Sequence, residues 1–427
     1  MNPSLIPSRG LRIAGILSTL AGAVFFLGAS GPGSTKEAGA RTPHGPAEHH
    51  LYVWAGDQAR RAPDFLAVVD FDASSKSYGK VVRTVALPEP GASNNEPHHI
   101  GLSADGKVLA CGGLLSVLKG QKEVFFFDIS NPASPQFLQA ADPPQSSVTD
   151  EFYALPDGGF LVTMMGGAEG HHPGRVAEFD KDLKLVAEHP ADPPAENFNP
   201  HGLSVRPEIN LMVTSDFICP ASTLASTPGD LGLRGSVRVW DFKGRKIVRT
   251  VELPGAGGTI DVRLIPGDPR RRAYTAGMID DKLYLIDTGK GTASPVFDFA
   301  RIAKGGWPQL MRMTSDGKRL FISMNMAGKV VMFDTSDPAK PTVLKVLDLG
   351  KDSGPHYINL TRDEKRIVIS DYFLNEDGAG KVHAEGDHKV HVANVTAKDL
   401  ALDHRFTLDM NTAIATGPAR PHGMAMK

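Results

Sequence analysis

The chain has little cysteine, almost no charge imbalance and no stretch whose apolar spacing argues for a long amphipathic helix. Only Cys111 and Cys219 occur in 427 residues, so a small domain stapled by disulfides is excluded. An oxidising compartment would permit these two to pair, which the sequence does not decide; Cys111 follows a strand-like VLA and reads as a buried thiol. With 46 Lys and Arg against 48 Asp and Glu, the formal net charge is −2. No basic excess grips a phosphate backbone, and no basic cluster is interleaved with aromatics, which excludes nucleic acid as a partner. What the chain does have is 41% apolar residues, 45 Gly and 32 Pro. That content supports a large core built from many short strands separated by turns.

The N-terminal region stands apart. Arg9 and Arg12 precede an uncharged run, residues 13–29, followed by a small and polar stretch. This is the layout of a secretory signal, so residues 1–40 are expected to be a signal peptide, or an uncleaved anchor, with its linker. Ala38-Gly39-Ala40 and Leu27-Gly28-Ala29 are the two candidate cleavage patterns. The domain is expected to be periplasmic or secreted, with membrane contact only if the segment stays uncleaved.

Beyond it the chain repeats. Short apolar strands ending in an acidic or amide residue recur about every fifty residues, closing at Asp70, Asp128, Asp180, Asp241, Asp287, Asp334 and Asn394. All but the first follow a strand, a turn of Asp-Gly type and another strand, as in HHIGLSADGKVLACGG and QLMRMTSDGKRLFISMN. A fourth strand can be read after most copies. Seven such units predict an all-β protein, a seven-bladed β-propeller over residues 45–427. The first unit lacks its innermost strand, and the chain ends in RPHGMAM, which looks like that strand. The C-terminus is therefore expected to complete the first blade beside HLYVWAG and close the ring.

Setting the turns in register aligns the residues that open the inner strands. They are His98, Asp150, His201, Thr259 or Ile260, Gln309, His356 and His422. Inner strands of a propeller open onto one mouth of the central channel, so these imidazoles should converge there. Neutral imidazole ligates copper, zinc and iron, and with Asp150 or Glu151 nearby the column makes a transition-metal site. His99 follows His98 directly and, by strand alternation, should point away unless the strand begins irregularly, in which case it supports the site. His171, His172, His383, His388 and His391 fall in Gly-rich loops or an outer strand and read as solvated. Met311, Met313, Met424 and Met426 read as core filling.

Several segments carry a family likeness. APDFLAVVDFD at 62–72, EPHH at 96–99, SVRVWDF at 236–242 and GPHYINLTRDEKR at 354–366 resemble the selenium-binding protein family, which includes methanethiol oxidases. The resemblance implies a propeller carrying copper on histidines and oxidising methanethiol with oxygen to formaldehyde, hydrogen sulfide and hydrogen peroxide. The family's double-His motif falls on His98 and His99, and its late histidine on His422. A histidine the family places in the next blade meets Asp150 here, His201 stands where many relatives have none, and the cysteine-rich stretch of animal members is absent. Two readings follow. One is an exported copper oxidase of a small thiol, with its metal on His98, His201, His356 and His422 and with Asp150 or His99 as further donors. The other is a non-catalytic metal- or selenium-binding propeller or interaction scaffold.

Overall fold

A computed structural model describes residues 47–221, 232–371 and 386–427. Alternating side chains explain how its sheets stack. On the strand Val124–Asp128, Phe125 and Phe127 pack with Tyr52, Trp54, Leu66 and Cys111 on one side. Phe126, between them, packs with Phe160, Val162 and Phe179 on the other. A period of two thus gives each blade two apolar faces, and each buried aromatic contributes about 1.5–3 kcal/mol. The same device joins Tyr274 and Leu283 to Leu320, Ile322 and Phe333 farther round the ring.

Seven antiparallel sheets result, all of four strands except the last, where Leu408–Asp409 adds a fifth by pairing with Lys389–Val395. The protein is a seven-bladed β-propeller, as its repeats predict. The acid-terminated strands are the third strand of each blade, for example Phe65–Asp70 and Lys329–Asp334. The Asp-Gly turns hold their glycine in the left-handed region, with φ 71° at Gly106 and 70° at Gly317. In the equivalent turn before Arg366–Asp371, Glu364 takes that conformation at φ 57°.

Blade 1 is closed as expected: its inner strand is the C-terminal Ala419–Met426, antiparallel to His50–Asp57. No disulfide joins Cys111 to Cys219, and burial pushes the Cys111 thiol well above its ordinary range. Met311, Met424 and Met426 are buried, and Met313 packs partly buried against the core. Among the described residues no helix is long and apolar enough to cross a membrane. The export segment of residues 1–40 and His383 lie outside the described residues.

Candidate metal centre

The inner strands open on irregular backbone, and that irregularity builds the site. Pairing with the second strand slips between Pro97 and Ile100 in blade 2, Thr149 and Phe152 in blade 3, and Pro200 and Leu203 in blade 4. It slips again between Pro308 and Met311 in blade 6 and between Pro355 and Tyr357 in blade 7. The closing strand slips where Met424 gives way to Pro421 opposite Val53 and Ala55. Each slip brackets the aligned residue: His98, Asp150, His201, Gln309, His356 or His422. A bulge re-aims the side chain it carries, and a proline, lacking an N–H, is tolerated at such a place.

Within the bulge two successive residues can face the same way. At His99 the strand begins irregularly, so the side chain does not point away from that of His98. The His98 and His99 rings stack, with centroids 4.4 Å apart and planes 3° apart. In blades 4 and 1 the second bulge position is glycine, where the neighbouring inner strand comes too close for a side chain. A Cβ on Gly202 would lie 2.7 Å from Asp261 Cα, and one on Gly423 2.4 Å from the His98 carbonyl oxygen. This is the physical content of the Pro-His-Gly motif.

The ligand column does meet at the axis. His98 and His422 have ring centroids 4.2 Å apart, His356 and His422 4.9 Å, and His99 and His201 5.3 Å, and all five rings are buried. Asp150 Oδ1 lies 2.9 Å from Nε2 of both His98 and His201. Donor atoms of His98, His99, Asp150 and His201 fall within 4.8 Å of one another, as do those of His99, His356 and His422. His99 belongs to both sets. Five blades thus contribute six candidate donor residues, in two sets joined by His99. By contrast His171 and His172 are exposed, as read from the sequence. His388 and His391 are less solvated than expected, each half-buried beside a carboxylate, Asp371 at 3.3 Å and Asp387 at 3.4 Å.

The electrostatics suit a cation. Burial, followed by the charge of His98, pushes His99 down to about 3, and burial also drives His356 and His422 well below their usual value, so these imidazoles are neutral with lone pairs available. Burial alone would raise Asp150, but His201 and His98 outweigh it and keep the carboxylate ionised. Nε2 of His99, Nδ1 of His201 and Oδ2 of Asp150 are buried without a hydrogen-bond partner. Buried polar atoms in that condition are costly, and a bound cation would satisfy them. The donor set of imidazoles and one carboxylate fits a first-row transition metal.

Two supporting features escape the sequence reading. A Ser or Thr of the second strand donates to the backbone carbonyl of the aligned residue in the next blade. The bonds are Thr163 to His201 at 2.5 Å, Ser215 to Ile260 at 2.8 Å, Ser323 to His356 at 2.8 Å and Ser370 to His422 at 2.6 Å. They identify Ile260, rather than Thr259, as the blade 5 member of the column. The recurring hydroxyl in LVT, VTS, FIS and VIS is the signal that would have found them. Beside the histidines lies a buried charged layer. Glu151 Oε1 is 3.0 Å from Arg263 and 3.6 Å from Arg312, and Arg263 is 3.0 Å from Asp261. Arg312 also lies over the Tyr357 ring, which packs edge-on against His99.

Known proteins resemble this chain over nearly all its length. The profile of the family described as 56kDa selenium binding protein (SBP56) matches residues 29–427. A protein named methanethiol oxidase from Hyphomicrobium sp. is 26% identical over 388 residues, covering 85% of this chain and 84% of that one. A methanethiol oxidase from Ruegeria pomeroyi is 27% identical over 379 residues, covering 79% and 82%. The X-ray structure of a hypothetical selenium-binding protein from Sulfolobus tokodaii superposes with a TM-score of 0.75 at 18% identity, over 91% of this chain and 96% of that one, which establishes likeness of fold.

Proposed function

Because the chain belongs to the 56kDa selenium binding protein family, we propose that it is an exported, copper-dependent thiol oxidase acting on methanethiol. In the reaction, methanethiol, oxygen and water give formaldehyde, hydrogen sulfide and hydrogen peroxide, so the carbon loses two electrons and oxygen gains them. The observation that carries this reading is the convergence of six donor residues at the axis, with His99 shared between the two donor sets. His98, His99, His201, His356, His422 and Asp150 would hold the ion. Copper, when bound, acidifies a coordinating thiol and exchanges single electrons with oxygen.

The chain's own residues do the rest. Desolvation keeps the His99, His356 and His422 imidazoles deprotonated, so no proton competes for their lone pairs. Asp150 supplies one negative charge that offsets a cation in a site otherwise of neutral donors. The carbonyl bonds from Thr163, Ser323 and Ser370 hold three of the ligating residues at backbone level. In the two blades without a donor, Ile260 occupies the blade 5 position and Gln309 the blade 6 position, with Met278 Sδ 3.8 Å from Gln309 Nε2 and Gln309 Oε1 2.6 Å from His356 Nδ1.

The test is elemental analysis of the purified protein with an oxygen electrode and methanethiol. Copper and thiol-dependent oxygen uptake are expected. Alanine at His98, His201, His356 or His422 should each lower metal content and abolish uptake, whereas His171→Ala should do neither. A metal-free parent protein defeats the oxidase reading. A parent that holds metal yet consumes no thiol is a metal-binding propeller. Cell fractionation tests export, and full-length chain recovered from the cytosol would refute it.

A further inference from the structure

The second bulge positions of blades 2 and 3 place His99 and Glu151 side by side, and His99 is the residue both donor sets share. An imidazole serves a metal well only when its other nitrogen is engaged, because that contact fixes the tautomer and the ring's orientation. Two carboxylates face His99 Nδ1: Glu151 Oε2 at 3.4 Å and Asp150 Oδ1 at 3.7 Å. Asp150 Oδ1 is already committed, lying 2.9 Å from both His98 and His201. Glu151 is not. Its Oε1 is anchored by Arg263 and, more loosely, by Arg312, which leaves Oε2 directed at His99.

We propose that Glu151 is the positioning residue of this centre, accepting the Nδ1 proton of His99 so that Nε2 is the nitrogen offered to the ion, with Arg263 holding Glu151 in place. The assignment rests on the metal-centre reading above. It gives the buried charged layer a purpose: Arg263, bonded also to the Met311 and Leu203 carbonyls, is a rigid mount for one carboxylate. Tyr357 limits the ring's rotation from the other side, packed edge-on at 5.1 Å and bonded through its hydroxyl to the Ile100 carbonyl.

The experiment measures Cu(II) affinity of the whole chain by chelator competition and records the EPR spectrum of the loaded protein. Glu151→Gln keeps the side chain's shape but offers a weaker acceptor, and should weaken Cu(II) binding about ten- to a hundredfold with altered copper hyperfine splitting. Glu151→Asp retains a carboxylate and should fall between parent and Glu151→Gln. Asp261→Asn removes the same unit of charge from the layer without facing His99, and should stay near the parent in affinity and spectrum. Parent-like affinity and spectrum in Glu151→Gln would overturn the assignment, as would an equal loss in Asp261→Asn, which would reduce Glu151 to one charge among several. Should Glu151→Gln fail to fold, Glu151→Asp against Asp261→Asn gives the same decision. A parent chain that binds no Cu(II) removes the metal centre itself, and this role with it.

Discussion

Asp64 shows how a residue outside the donor set keeps the site in place. It lies in the family-like segment at 62–72, and its Oδ2 accepts bonds from the Asn95 backbone at 2.8 Å and the Asn95 side chain at 3.1 Å. Asn95 in turn bonds the Gly91 carbonyl and accepts from Ser116, so one carboxyl organises the loop that leads into Pro97 and the double histidine. Burial pushes this carboxyl up to about 7, beyond what the two Asn95 bonds recover. The folded state therefore keeps a proton that the unfolded chain releases near pH 3.8. Between about pH 4 and pH 7 the unfolded state binds fewer protons, so stability falls as pH rises, by up to about 1.4 kcal/mol per pH unit from this group. The contribution is fully present below pH 3.8 and lost as pH passes 7. Asp64→Asn should flatten that slope. Urea midpoints of parent and variant at several pH values check it, and parallel curves would show that Asp64 ionises normally.

At the scale of the strand, the bulge decides the chemistry. Gly423 occupies its second position in the closing strand, and a Cβ there would lie 2.4 Å from the His98 carbonyl oxygen and 2.8 Å from Ile100 Cγ2. Neither atom is the free end of a flexible side chain, so Gly423→Ala must push the closing strand away from blade 2. A loss of about 1–3 kcal/mol is expected, together with weaker copper binding, because His422 moves with the strand. Gly289→Ala, in a turn where the nearest atom would be 3.5 Å away, should change neither. Calorimetry and chelator competition measure the two effects. The bulge also marks where the sequence could be read and where it could not. The strands, the Asp-Gly turns, the histidine column and the closure were legible because each is local or repeats in register. For His99 and Glu151 the sequence offered only an alternative, since alternation holds while pairing is regular and the slip over Pro97–Ile100 is set by contact between strands. Arg263 and Arg312 carry no local or repeating signal, and the 112 positions between Glu151 and Arg263 hide their pairing.

For the molecule as a whole, ring closure and the candidate metal centre are one construction. Ala419–Met426 is both the inner strand of blade 1 and the carrier of His422, and its contacts run in three directions. It pairs with His50–Asp57, Ser370 of blade 7 bonds the His422 carbonyl, and Arg420 pairs with Glu96 of blade 2 at 2.5 Å. Glu96 also meets Arg60 at 2.9 Å, so this buried carboxylate ties the closing strand to the residue just before Pro97 and His98. Removing residues 420–427 would expose the ladder edge of His50–Asp57, uncover the apolar faces of blades 1 and 2, leave Glu96 with one cation fewer, and delete a donor. Loss of a buried strand's hydrogen bonds and packing should cost several kcal/mol, on the order of 5 or more. The melting temperature should drop sharply. His422→Ala in the full-length chain separates the two roles: it removes the donor and leaves the strand, so it should lose copper with a much smaller change in melting temperature when both proteins are compared metal-free. A truncated protein that melts with the parent would mean that the C-terminal strand does not close the ring in solution, whatever becomes of its copper.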